Sequence, residues 1–164
     1  MKYVSIILII IINFFLKNSF FAGFFSTVTP NTDLLITIFS AIYFGRKFGG
    51  LVGIIVGLLS DLIFSPTIGI SSLSLFIIAN IAGLIGEEDL NKRPVLSILI
   101  ATSGVILYNF IYYLIGYFFD INILFSDITR TKLIWSLILT GVFALPVYYL
   151  FNSLFREKTL NFSE

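Results

Sequence analysis

Apolar residues run along this chain in six stretches broken by short polar joints. A helix needs about 20 mainly apolar residues to cross roughly 30 Å of hydrocarbon. On that measure the pattern predicts spans over Tyr3–Phe25, Thr32–Phe44, Phe48–Phe64, Ile70–Gly86, Val95–Phe119 and Leu133–Leu154. The second is short and takes Thr32 and Asp33 as its first turn, with Pro30 just ahead of it as a helix-start signal. Lys17 interrupts the first, near enough to one end for its ammonium to snorkel to the interface. The first stretch is longer than a signal-peptide core and lacks a small-x-small cleavage site, so it is expected to stay in the mature chain. The expected fold is an all-α integral membrane protein, six transmembrane helices in one compact bundle, with residues 1–164 forming a single domain. The joints are too short to hold a soluble domain, so the function is expected to lie within or beside the bilayer.

Charge sets the orientation. With the N-terminus inside, six crossings place Lys2, Arg46, Lys47, Lys92, Arg93, Arg156 and Lys158 in the cytoplasm and Lys17, Arg130 and Lys132 outside. That excess favours both termini cytoplasmic. The turn Ser65–Gly69 and the loop Asp120–Lys132, with Asp127, then lie outside. Tyr117, Trp135, Tyr148 and Tyr149 near the span ends are expected at the two interfaces. Only 12% of the 164 residues are charged and mean hydropathy is +1.04, which suits lipid and not water as solvent. The net charge of +1, with its basic residues scattered over membrane flanks, argues against nucleic acid as a partner. The chain has neither Cys nor His, which removes thiol chemistry and disulfides and the commonest metal ligand and proton shuttle. No cofactor, metal or catalytic constellation is expected.

Two features of the third span stand out. Gly49, Gly53 and Gly57 fall four residues apart on one stripe of the helix, nearly bare backbone where another helix can approach closely. That stripe is either internal helix packing or a face for a partner's helix. Asp61 continues it. A carboxylate in lipid costs about 2.5 to 3.5 kcal/mol at the bilayer centre, and Asp61 is the acidic residue that lies well inside a span. It either anchors the following turn and caps the fourth helix near Ser71 and Ser72, or forms an intramembrane polar site with Asn80 and Asn109. Asn13, Asn80 and Asn109 are otherwise interhelical glue, Tyr108, Tyr112 and Tyr113 are packing, Pro146 is a kink in the sixth span, and Gly86–Pro94 is a solvated turn.

Six crowded spans, the early TPNTDLLI (Thr29–Ile36), the run FGRKFGGLVGIIVGLLSDLIFSPTIGISSLSL (Phe44–Leu75) and IIANIAGLIGE (Ile77–Glu87) resemble the rod shape-determining MreD family. The matching positions are Pro30 with Asp33, then Gly53, Gly57, Leu58, Leu59 and Asp61, then Gly69 and Leu73. The motifs cover about a third of the chain; after Val95 the likeness is one of hydropathy alone. The resemblance implies a non-enzymatic, multi-pass protein of the bacterial cytoplasmic membrane. It implies a place in the cell-wall elongation machinery, beside membrane lipids, an MreC-type bitopic protein, MreB, a glycosyltransferase and a penicillin-binding transpeptidase. A helix-packing scaffold for those partners is the expected role.

The alternative is a substrate-binding S-component of an energy-coupling-factor vitamin transporter, also a small six-span protein, in which Asp61 and the 65–69 turn would face a ligand. A proton-coupled exporter ranks third, because Asp61 lies too far from mid-membrane.

Overall fold

A short helix surrounded by longer ones organises the molecule. The computed structural model describes residues 2–17, 19, 29–65, 67–86, 94–118 and 130–155. Within them the secondary structure is helical throughout: α1 (Lys2–Leu16), α2 (Thr32–Phe44), α3 (Arg46–Phe64), α4 (Ile70–Gly86), α5 (Pro94–Phe118) and α6 (Arg130–Phe155). Each falls on one of the six apolar stretches. Arg46–Phe64, Pro94–Phe118 and Leu133–Phe155 are long and apolar enough to cross a membrane, while Val4–Leu16, Thr32–Phe44 and Ile70–Gly86 are shorter apolar helices. The far part of the first expected span, residues 87–93 of the expected turn, Asp127 with most of its loop, Pro66, Arg156 and Lys158 lie outside the described residues. α6 runs as one helix through Pro146.

Thirteen residues make α2, and every one from Thr32 to Ile42 is buried. α2 takes the centre, with its polar Asp33, Thr37 and Ser40 buried alongside its apolar residues. α2 contacts all five other helices, and α3 packs most extensively against α4 and then against α2. Asn31 starts it: the side-chain oxygen accepts from the Leu34 backbone N–H at 3.2 Å, an N-cap bond, and Pro30 precedes it.

Glycines set the spacing of this inner layer. A Cβ on Gly49 would lie 2.4 Å from the Ala41 Cβ, one on Gly57 2.3 Å from the Ser72 Cα, and one on Gly53 3.0 Å from both Thr37 and the Leu75 backbone. The glycine stripe of α3 is therefore filled by the chain's own α2 and α4, which leaves it no room for a partner helix. Gly83 brings the backbone of α4 onto the start of α3 in the same way, its Cβ position 2.5 Å from the Arg46 Cα. Close backbone contact of this kind is what holds helices together where the surrounding lipid is as apolar as the side chains.

At the far end of α2 the core is aromatic. Phe39 and Phe151 have ring centroids 5.8 Å apart, Phe44 and Phe155 4.9 Å, and the Tyr43 hydroxyl reaches Asn152 at 3.4 Å. Tyr148 is buried against Phe39, and its neighbour Tyr149 is exposed. Tyr117 and Trp135 are exposed near the opposite end. The outward faces of α1, α5 and α6 carry Ile7, Leu8, Leu99, Phe110, Ile138 and Val142, a surface suited to lipid.

Candidate functional site at the polar end of the bundle

The other end of α2 is polar. Asn31 donates its backbone N–H to Thr140 Oγ1 at 3.1 Å, and Thr140 is ten residues past Arg130. At 1.5 Å per residue, α2 therefore begins about 15 Å below the start of α6. Around that recessed start the chain gathers the end of α1, the end of α3 and the start of α4.

Asp33 sits in the first turn of α2, buried to 6% exposure. Asn13 Nδ2 donates to its Oδ1 at 2.7 Å, and Lys17 Nζ forms an ion pair with its Oδ2. Lys17 also donates to Ser60 Oγ at 2.7 Å and stands 4.7 Å over the Phe64 ring. The helix N-terminus, an ammonium and an amide thus share one carboxylate, which is how a charge survives in low dielectric. Two expectations are corrected here. Lys17 does not snorkel, because a carboxylate within reach compensates it better than a distant interface; its side chain is 19% exposed. Asp61 is not alone, since Asp33 is also a buried acid.

Asp61 is fully buried, and its Oδ2 accepts from the backbone N–H groups of Gly69 (2.8 Å), Ser71 (3.1 Å) and Ser72 (3.4 Å). These are among the first amides of α4, which an α-helix leaves without internal partners. Gly69, at φ +107°, adopts a backbone that favours glycine and has no side chain to cap them. Asp61 does so from the neighbouring helix. Its own carbonyl accepts from Ser65 N–H at 3.1 Å, closing α3. One residue ends a helix and begins the next. Its Oδ1 is buried without a hydrogen-bond partner among the described residues. Ser72 Oγ donates to the Ile54 carbonyl at 3.1 Å.

Asn80 and Asn109 do not join this group. Each donates to a carbonyl of its own helix, Phe76 and Val105, at 2.8 Å. Leu58 and Leu73 are exposed, and Leu59 is partly buried against the core. Lys17, Ser60 and Asn31 escaped the sequence reading as members of the site. A signal for the first was present: Ile6, Ile10, Asn13 and Lys17 recur at three- and four-residue spacing, one face of a helix. Ser60 is a short polar residue whose partner lies far off in sequence, and Asn31 pairs locally as an N-cap through its side chain and distantly with Thr140 through its backbone.

The family profile described as rod shape-determining protein MreD matches residues 1–154. The chain belongs to the MreD family. No curated protein and no solved structure matches it. Membership carries a role in rod-shape determination with the MreB/MreC shape machinery, in a family of structural membrane proteins not known as enzymes. It covers the region after Val95, where the motifs were silent. It also selects the shape-determining reading over the transporter component. Pro30, Asp33, Gly53, Gly57, Leu58, Leu59, Asp61, Gly69 and Leu73, the MreD-like motif positions, all fall on the α2–α3–α4 unit or at its joints.

Proposed function

We propose that this protein is a non-enzymatic scaffold of the cell-wall elongation machinery, a multi-pass protein of the cytoplasmic membrane that crosses it six times with both termini inside. The match to the MreD family over residues 1–154 carries this reading. The geometry supports it. The carboxylates at the polar end are committed to holding helices, Asp33 through Asn13 and Lys17 and Asp61 through the start of α4. The distribution of Lys and Arg supports an outer position for that polar end. Partners, an MreC-type bitopic protein first among them, meet the bundle on its outward apolar faces, since the glycine stripe is occupied from within. MreB on the inner side and the wall-synthesis glycosyltransferase and transpeptidase complete the assembly.

Photocrosslinking tests this. A photoreactive residue at exposed Ile7, Leu99 or Ile138, on α1, α5 and α6, is expected to capture a single-span wall-synthesis protein from at least one position. The same group at Gly57 has no room beside the Ser72 backbone and should give poorly folded protein and no adduct. Adducts from Gly57 alone, or from none of the four, would overturn the scaffold reading.

A further inference from the structure

α1 is joined to the bundle differently from the other helices. Its packing against α2 and α6 is the slightest among the helix pairs with substantial contact. Only Ile6, Ile10 and Asn13 of its described side chains are buried, while Val4, Ile7, Leu8, Ile11, Ile12, Phe15 and Leu16 are exposed. Between α1 and α6 a groove of about 260 Å³ runs past Ile12, Leu16, Thr32, Pro146 and Phe151. α1 and α6 therefore leave an open groove between them along this stretch.

In lipid the exposed face of α1 gains little from protein and loses little by leaving it. Beside the buried Ile6 and Ile10, what fixes the helix to α2 and α3 is polar: Asn13 and Lys17 on Asp33, and Lys17 on Ser60. A charge-assisted cluster of this kind is cooperative, because removing one member leaves another charge buried without compensation. It holds or it lets go. By contrast, α2, α3 and α4 are joined by backbone contact along their lengths at Gly49, Gly53, Gly57 and Gly83, and the clasp is no part of that.

We propose that α1 is a detachable strap, pinned to the bundle by the clasp of Asn13, Lys17, Asp33 and Ser60. Releasing the clasp swings α1 away from α2 and α6 into the lipid and opens the groove over Thr32 and Phe151, while the other five helices keep their arrangement. The strap does not depend on the shape-determining role. It is a mechanical property of the bundle.

The natural chain has no cysteine, so spin labels can be placed without background. One pair of labels goes on exposed Leu8 of α1 and Leu145 of α6, and a control pair on exposed Leu62 of α3 and Phe110 of α5. Distances are measured by pulsed electron paramagnetic resonance on the full chain in lipid vesicles, for the native clasp and for Lys17→Met, Asp33→Asn and Ser60→Ala. The native clasp is expected to give one narrow α1–α6 distance. Lys17→Met and Asp33→Asn should each add a population displaced by about a helix diameter, roughly 10 Å, with the control pair unmoved. Ser60→Ala, which removes one neutral partner, should add a smaller share of the same population. An unchanged α1–α6 distance in both charge variants would overturn the proposal. So would a control pair that shifts together with it, because the cluster would then hold the whole bundle and not α1.

Discussion

At Asp61 the main-chain carbonyl closes α3 while the side chain opens α4. A carboxylate oxygen that accepts from three amides is demanded by the turn, since Gly69 brings the chain around but cannot cap the start of α4. Replacing Asp61 with Ala would leave those buried amides unpaired, at a cost of about 1–3 kcal/mol. Asp61→Asn keeps an acceptor oxygen and is expected to cost about 1 kcal/mol or less. Thermal unfolding in detergent checks this: a lowered midpoint for the Ala variant and a near-native one for Asn fit a cap, whereas equal losses would mean that the charge itself is required. The sequence offered this cap as one of two readings of Asp61. It could not decide between them, because the deciding partners are backbone amides, which every residue type here can supply. For Lys17 it pointed the wrong way. Its distance from a span end is equally compatible with reaching water or a buried acid, and only the packing of α1 on α2 separates the two.

Among the elements, α3 with α2 and α4 makes the rigid part of the molecule. The backbones approach so closely at Gly57 that a single methyl must push α3 and α4 apart. Gly57→Ala is therefore expected to destabilise by about 1–3 kcal/mol, the usual cost of overpacking. Gly141 on α6 is a contrast. A Cβ there meets Thr102 at 3.5 Å, ordinary contact, so Gly141→Ala should be neutral, or stabilising by up to about 1 kcal/mol through helix propensity. Unfolding midpoints of the two variants in the same detergent check both; similar effects would show that the α3 stripe does not carry the packing. Helix positions were legible because the apolar runs and their breakers, Pro30, Gly45, Gly69, Gly86 and Pro94, mark them. The glycine stripe was legible as a close-approach face, but not whose helix it meets. The buried rank of α2 was not legible, since a short apolar run reads alike at the centre of a bundle and at its edge.

On the scale of the whole molecule, a polar end rich in helix-fixing groups, a glycine-spaced centre and broad apolar flanks make a body that presents surfaces. That form suits a member of a shape-determining family. The family was legible in the motifs of the α2–α3–α4 unit, where backbone geometry restricts the residue types allowed. In α5 and α6 many apolar residues satisfy lipid equally well, and no such restriction leaves a motif. If this bundle serves the elongation machinery, its loss should redirect wall growth without touching any vitamin requirement. The most direct measurement is depletion of the protein in its host, scoring cell width and the sites of new wall insertion. Widening and rounding of the cells, with insertion no longer spread along the side wall, is the outcome this account predicts. Rods of normal width that instead acquire a requirement for a vitamin would contradict it.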